Sequence, residues 1–95
     1  MKTDKELFQA AIDKWGKALQ LVMVLEETAE LQKEVCKLIR GDWSSSRMDN
    51  VAEEIADVRL CVDQLEYMCG IWAKVDIERN LKLKRLEKLL EVSHE

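Results

Sequence analysis

Arg40-Gly41-Asp42-Trp43-Ser44-Ser45-Ser46 is the strongest loop signal in this chain, because Gly ends helices and Asp and Ser turn or cap the backbone. Folding the chain back here as an antiparallel hairpin sets the two flanking segments against each other. One is Glu26-Glu27-Thr28-Ala29-Glu30 and the other is Glu53-Glu54-Ile55-Ala56-Asp57. Each repeats carboxylates at three- or four-residue spacing, so each lines one face of a helix. Glu27 with Asp57, and Glu30 with Glu54, both average to position 42. The hairpin would bring these four carboxylates to roughly one level, the oxygen-rich setting a hard divalent cation such as Mg²⁺ takes. Without a cation the cluster is mainly self-repulsion. The competing reading is a pair of solvated acidic faces, with Lys33 and Lys37 neutralising part of the first.

Working outward, Thr3-Asp4-Lys5-Glu6 forms a capping box and predicts a helix over about 4–14, with Leu7, Ala10, Ala11 and the stem of Lys14 facing inward. Trp15-Gly16 marks a break or kink. A second helix is expected over about 17–39, with Leu21, Val24, Leu25, Thr28, Leu31, Val35 and Leu38 at helical spacing. A third, over about 47–69, carries Val51, Ile55, Val58, Val62, Leu65 and Met68 and stops at Gly70. A fourth, over about 73–91, carries Val75, Leu81, Leu83, Leu86, Leu89 and Leu90. No useful length alternates with period two, so no sheet is expected. Ser93-His94-Glu95 should fray.

The 95 residues make one domain, which would bury only about 60–65% of its extended surface as a lone monomer. The apolar fraction of 47% is enough for a core with some left for an oligomer interface. We therefore expect a homo-oligomer. The net charge of −4 argues against broad nucleic-acid binding. The charge is also uneven. Residues 26–57 hold nine acids and four bases, whereas residues 74–88 hold six bases and three acids. An acidic and a basic region together suit a metal and a phosphate. Cys36, Cys61 and Cys69 lack CxxC spacing and read as reduced core residues of a cytoplasmic protein. No stretch reaches membrane-spanning length and no signal-peptide hydrophobic region is evident, so no membrane association is expected.

The order Trp15-Gly16, Gln20-Leu21, Glu26-Glu27-x-x-Glu30-Leu31, then Glu54-x-x-Asp57-Val58 resembles the all-α nucleoside triphosphate pyrophosphatases of the MazG type, marked by EExxE followed by ExxD on the next helix. The likeness covers roughly residues 10–90. It implies an antiparallel four-helix bundle working as a homodimer or homotetramer. It also implies Mg²⁺-dependent hydrolysis of nucleoside triphosphates to the monophosphate and pyrophosphate. Carried over, the metal residues are Glu27, Glu30, Glu54 and Asp57. Glu26 matches the first Glu of the motif. Glu26 or Glu30 is the candidate to take a proton from water.

Lys82 and Arg85, three apart on one face of the fourth helix, are the candidate phosphate clamp and resemble late basic positions of that family; the alternative is a solvated amphipathic helix. Trp15 either stacks a base or packs a helix corner. Gln20 either hydrogen-bonds a base or is plain surface. His94 is the only histidine, which excludes a His-rich zinc site and a Ser–His or Cys–His pair. No Gly-rich phosphate loop is present. The competing function is a non-catalytic helical interaction module that oligomerises through its leucine-rich helices.

Overall fold

The structure, a computed structural model, describes residues 1–92. The expected fraying of Ser93-His94-Glu95 lies outside the described residues. Four helices run in order: α1 Asp4–Trp15, α2 Lys17–Ile39, α3 Ser45–Cys69 and α4 Trp72–Val92. No strand occurs among the described residues, so the all-α expectation holds. Nor is any helix among them long and apolar enough to cross a membrane.

The helix ends follow the local chemistry. Thr3 Oγ1 accepts the Glu6 N–H at 3.2 Å and opens α1. Gly16, at φ 83°, separates α1 from α2. At the end of α2 the Asp42 N–H donates to the Lys37 carbonyl and the Gly41 N–H to the Leu38 carbonyl. This is a Schellman stop, and it needs the positive φ of 100° that Gly41 supplies. Ser44 then accepts the Arg47 N–H at 3.3 Å and starts α3.

α2 and α3 form the antiparallel hairpin that the rest leans on. Its register is pinned near the turn by Arg47. One guanidinium nitrogen reaches Glu34 across the hairpin at 2.6 Å, and Nε reaches Asp42 at 3.1 Å. Asp42 also accepts the Ser44 hydroxyl at 2.8 Å and the Ser44 N–H at 3.2 Å. These three donors hold the Asp42 carboxyl below its usual range, the Ser44 bonds most strongly.

The buried faces include the expected Val24, Thr28, Leu31 and Leu38 of α2 and Val51, Val58, Leu65 and Met68 of α3, and differ from expectation at their flanks. On α1 the buried residue is Phe8, not Leu7, which is exposed. The Phe8 ring meets Tyr67 of α3 edge-on at 6.0 Å. On α2 the inward positions are Gln20, Val24, Glu27, Leu31, Glu34 and Leu38, whereas Leu21, Leu25 and Val35 are exposed. On α3 the inward run is Val51, Glu54, Val58, Cys61, Leu65 and Met68, with Ile55 and Val62 exposed at its flank. Cys61 alone of the three cysteines is buried. Cys36 and Cys69 are exposed free thiols, which corrects the expectation that all three lie in the core.

The four helices do not close around one core within a single chain. Among the other helices, α4 approaches only α3 along its backbone, with Lys5 of α1 placing its ammonium over the Trp72 ring at 5.0 Å. The radius of gyration is 16.9 Å, against about 12 Å for a compact chain of this length.

Candidate functional site

Gln20, Glu27 and Glu34 recur every seven residues on α2, and Glu54 and Cys61 do so on α3. Polar groups therefore occupy positions on the α2–α3 seam where a packed hairpin would place apolar ones. The acids of α2 do not share one fate. Glu34 is neutralised by Arg47 and by Lys37 at 3.6 Å. Glu30 lies on the outer side of α2, exposed, and pairs with Lys33 at 3.2 Å. Glu27 stays inside and meets α3.

There, one carboxylate oxygen from each of Glu27, Glu54 and Asp57 lies within 4.8 Å of the others. None of these three takes part in the salt bridges found among the described residues. The Oε2 atom of Glu54 is buried without a hydrogen-bond partner, a costly arrangement for a group that is charged in water. The site responds by resisting ionisation. Burial, then the neighbouring Asp57 charge, pushes the Glu27 carboxyl above its usual value, with Glu30, Glu26 and a hydrogen bond with Asp57 adding to it. Burial, then Asp57, Glu27 and Glu30, pushes Glu54 up in the same way.

Three converging carboxylates, one with an orphaned oxygen and all without a basic partner, suit a hard divalent cation. The donor set is oxygen only, which excludes the thiolate and imidazole ligands of structural zinc. Glu27, Glu54 and Asp57 are thus the three of the four expected metal residues that the fold brings together. Glu30 stands outside this tight group, although its charge is felt at both Glu27 and Glu54. Glu26 is exposed beside Glu27.

A pocket of about 310 Å³ adjoins the cluster, lined by Trp15, Leu19, Gln20, Met23, Cys61 and Gln64. Cys61 is the junction. It lies one turn beyond Asp57, and its thiol is pushed up by burial and by the charges of Glu27 and Asp57. Trp15 and Gln20 therefore belong to one cavity, with Gln20 buried and Trp15 partly exposed at its edge. Cys61, Gln64 and Met23 were not singled out from the sequence as site residues. Their signal was spacing: Cys61 and Gln64 follow Asp57 at four and seven residues, on the same face of α3.

Lys82 and Arg85 are not brought to the acids within one chain. They are exposed on α4, which makes no backbone approach to α2. Lys82 instead lines an open groove of about 590 Å³ along α4 with Lys74, Val75, Leu83 and Leu86. In comparisons with protein-family models, curated proteins and solved structures, nothing matches this chain.

Proposed function

We propose that this chain is a small Mg²⁺-dependent nucleoside triphosphate pyrophosphohydrolase of the MazG type. The observation that carries the reading is the convergence of Glu27, Glu54 and Asp57 within 4.8 Å around the unpartnered Glu54 Oε2. It is strengthened by the neighbouring pocket, which offers one aromatic ring and two amides beside the acids.

Glu27, Glu54 and Asp57 would hold Mg²⁺, which when bound offsets phosphate charge and acidifies water. Glu30 and Glu26 flank the cluster without entering its tight group. A carboxylate in that place would accept the proton of the attacking water. The Trp15 ring would stack on the base, and the Gln20 and Gln64 amides would hydrogen-bond its edge. Leu19 and Met23 supply apolar lining to the same pocket. Lys82 and Arg85 would meet the phosphates once α4 lies over an acidic hairpin. The products would be the monophosphate and pyrophosphate.

The test is pyrophosphate release from a panel of canonical and modified nucleoside triphosphates with and without Mg²⁺. Turnover that needs Mg²⁺ supports the reading. No release from any of them by the folded chain supports a non-catalytic helical module, the reading that the exposed leucines of α4 favour.

A further inference from the structure

The start of α1, the last turns of α3 and the start of α4 meet around a cavity of about 270 Å³. Three rings, Phe8, Tyr67 and Trp72, and three carboxylates, Asp4, Asp63 and Glu66, line it together with Lys5. Its aromatic walls are fixed. Phe8 is buried and meets Tyr67 edge-on, and the Tyr67 hydroxyl donates to Gln9 at 2.7 Å. Trp72 keeps a ring face open, at 49% exposure. That face already takes an ammonium, since Lys5 Nζ lies 5.0 Å from the ring centroid.

The cavity is short of positive charge. Its lining sets three carboxylates against one ammonium, a net −2. None of the four takes part in the salt bridges found among the described residues. Burial, then the charges of Asp63 and Asp76, pushes the Glu66 carboxyl above its usual value, with a hydrogen bond with Asp63 adding to it. These acids are not gathered for a metal ion. Among the described residues, the three-acid group whose oxygens lie within 4.8 Å of one another is Glu27, Glu54 and Asp57. Spread carboxylates beside aromatic walls suit an extended organic cation, whose apolar stem lies on the rings while its N–H groups reach the acids. The volume is just under the range of about 300–1,000 Å³ that drug-sized ligands take, so the occupant is a small molecule. Its charge excludes a nucleotide. The place is also distinct from the hairpin acids. Asp63 and Glu66 lie about 9 and 14 Å beyond Asp57 along α3, Glu66 on the opposite face of the helix.

We propose that this cavity binds a small aliphatic diamine as its dication, one ammonium taking the Trp72 face from Lys5 and the N–H groups donating to Asp4, Asp63 and Glu66. Lys5 is exposed, so it swings into water when the ligand enters. The site is read by binding alone, and its outcome is independent of whether the chain hydrolyses nucleotides.

The probe is 1,4-diaminobutane, titrated calorimetrically into the parent chain with and without Mg²⁺. One molecule should bind per chain under both conditions. Lys5→Met removes the internal competitor and should tighten binding about two- to fivefold. Trp72→Leu should weaken it at least about fivefold, and Asp63→Asn with Glu66→Gln at least about tenfold. The fully N-methylated analogue of the diamine keeps both charges but has no N–H, and should bind at least about tenfold more weakly. Asp57→Asn should leave diamine binding as it is, and circular dichroism checks that each variant is folded. No binding at millimolar diamine overturns the proposal. So do unchanged affinity in the folded Trp72→Leu or Asp63→Asn/Glu66→Gln variants, weaker binding by Lys5→Met, and equal binding of the methylated analogue. Displacement of the diamine by Mg²⁺, or its loss in Asp57→Asn, would assign the binding to metal-type acids instead and overturn it as well.

Discussion

Replacing Phe8 by Ala should separate the two halves of the site. Phe8 is only 9% exposed and is the contact through which α1 holds Tyr67, whose hydroxyl donates to Gln9 at 2.7 Å. Truncating a buried Phe costs about 3–5 kcal/mol. The space beside it is an open pocket of about 270 Å³ that water can enter, which places the cost near the lower end, about 3 kcal/mol. At about 4–8 °C per kcal/mol for a chain of this size, the melting temperature should fall by about 12–24 °C. The loss is local in its consequence. α1 carries Trp15, so KM for a nucleotide should rise as α1 loosens. The hairpin is held independently by Arg47, Glu34 and Asp42, so Mg²⁺ should still raise the melting temperature. Circular dichroism melts at fixed protein concentration, with and without Mg²⁺, read both effects. A fall of less than about 4 °C, or a loss of the Mg²⁺ response along with α1, would refute the reasoning.

Without metal, stability should rise as pH falls from alkaline values toward the ordinary carboxylate range. The Glu27, Glu54 and Glu66 carboxyls all sit above their usual values. The folded chain therefore keeps protons that the unfolded chain has released, and stability falls as pH climbs through the raised values. Further acidification should reverse the trend as Asp42, held below its usual value, is protonated. Melts across this range in the presence of a chelator check both limbs, and a flat profile would count against the crowded cluster. At a hundredfold excess over its Kd, Mg²⁺ should add about 2.7 kcal/mol of stability, and most of that gain should vanish in Asp57→Asn. Trp15→Leu should raise KM while leaving the Mg²⁺-dependent thermal shift unchanged, as steady-state kinetics and melts would show.

The hairpin and its level of carboxylates were legible because they rest on spacing alone. Gly41 and Ser44 fix the turn, and arithmetic about position 42 puts Glu27 beside Asp57. The flanks of the buried faces were misjudged for a physical reason. Apolar periodicity points to whatever is covered, and here two different surfaces are apolar. Leu21, Leu25, Ile55 and Val62 follow helical spacing yet lie outside the hairpin seam. The seam itself holds Gln20, Glu27, Glu34 and Glu54. A pattern that expects apolar residues inward passes over the seam positions that polar residues hold. Phe8 was missed in the same way, since Leu7 offered an equally apolar neighbour one position earlier. Glu30 stands apart from the tight cluster and pairs with Lys33, a matter of side-chain geometry rather than spacing. Lys82 and Arg85 lie apart from the acids within one chain, because α4 approaches only α3 along its backbone, a tertiary arrangement that spacing along one helix does not encode.

The central claim is that Glu27, Glu54 and Asp57 hold the ion on which hydrolysis depends. Its most direct test is pyrophosphate release from nucleoside triphosphates, with saturating Mg²⁺, by the parent chain and by Glu54→Gln and Asp57→Asn. Each substitution keeps side-chain volume and removes one charged oxygen ligand, and neither residue forms a salt bridge whose loss would unfold the hairpin. The account predicts Mg²⁺-dependent release by the parent, near-complete loss in both variants, and metal-free melting temperatures equal to or above the parent's. Full Mg²⁺-dependent release by either variant would contradict it.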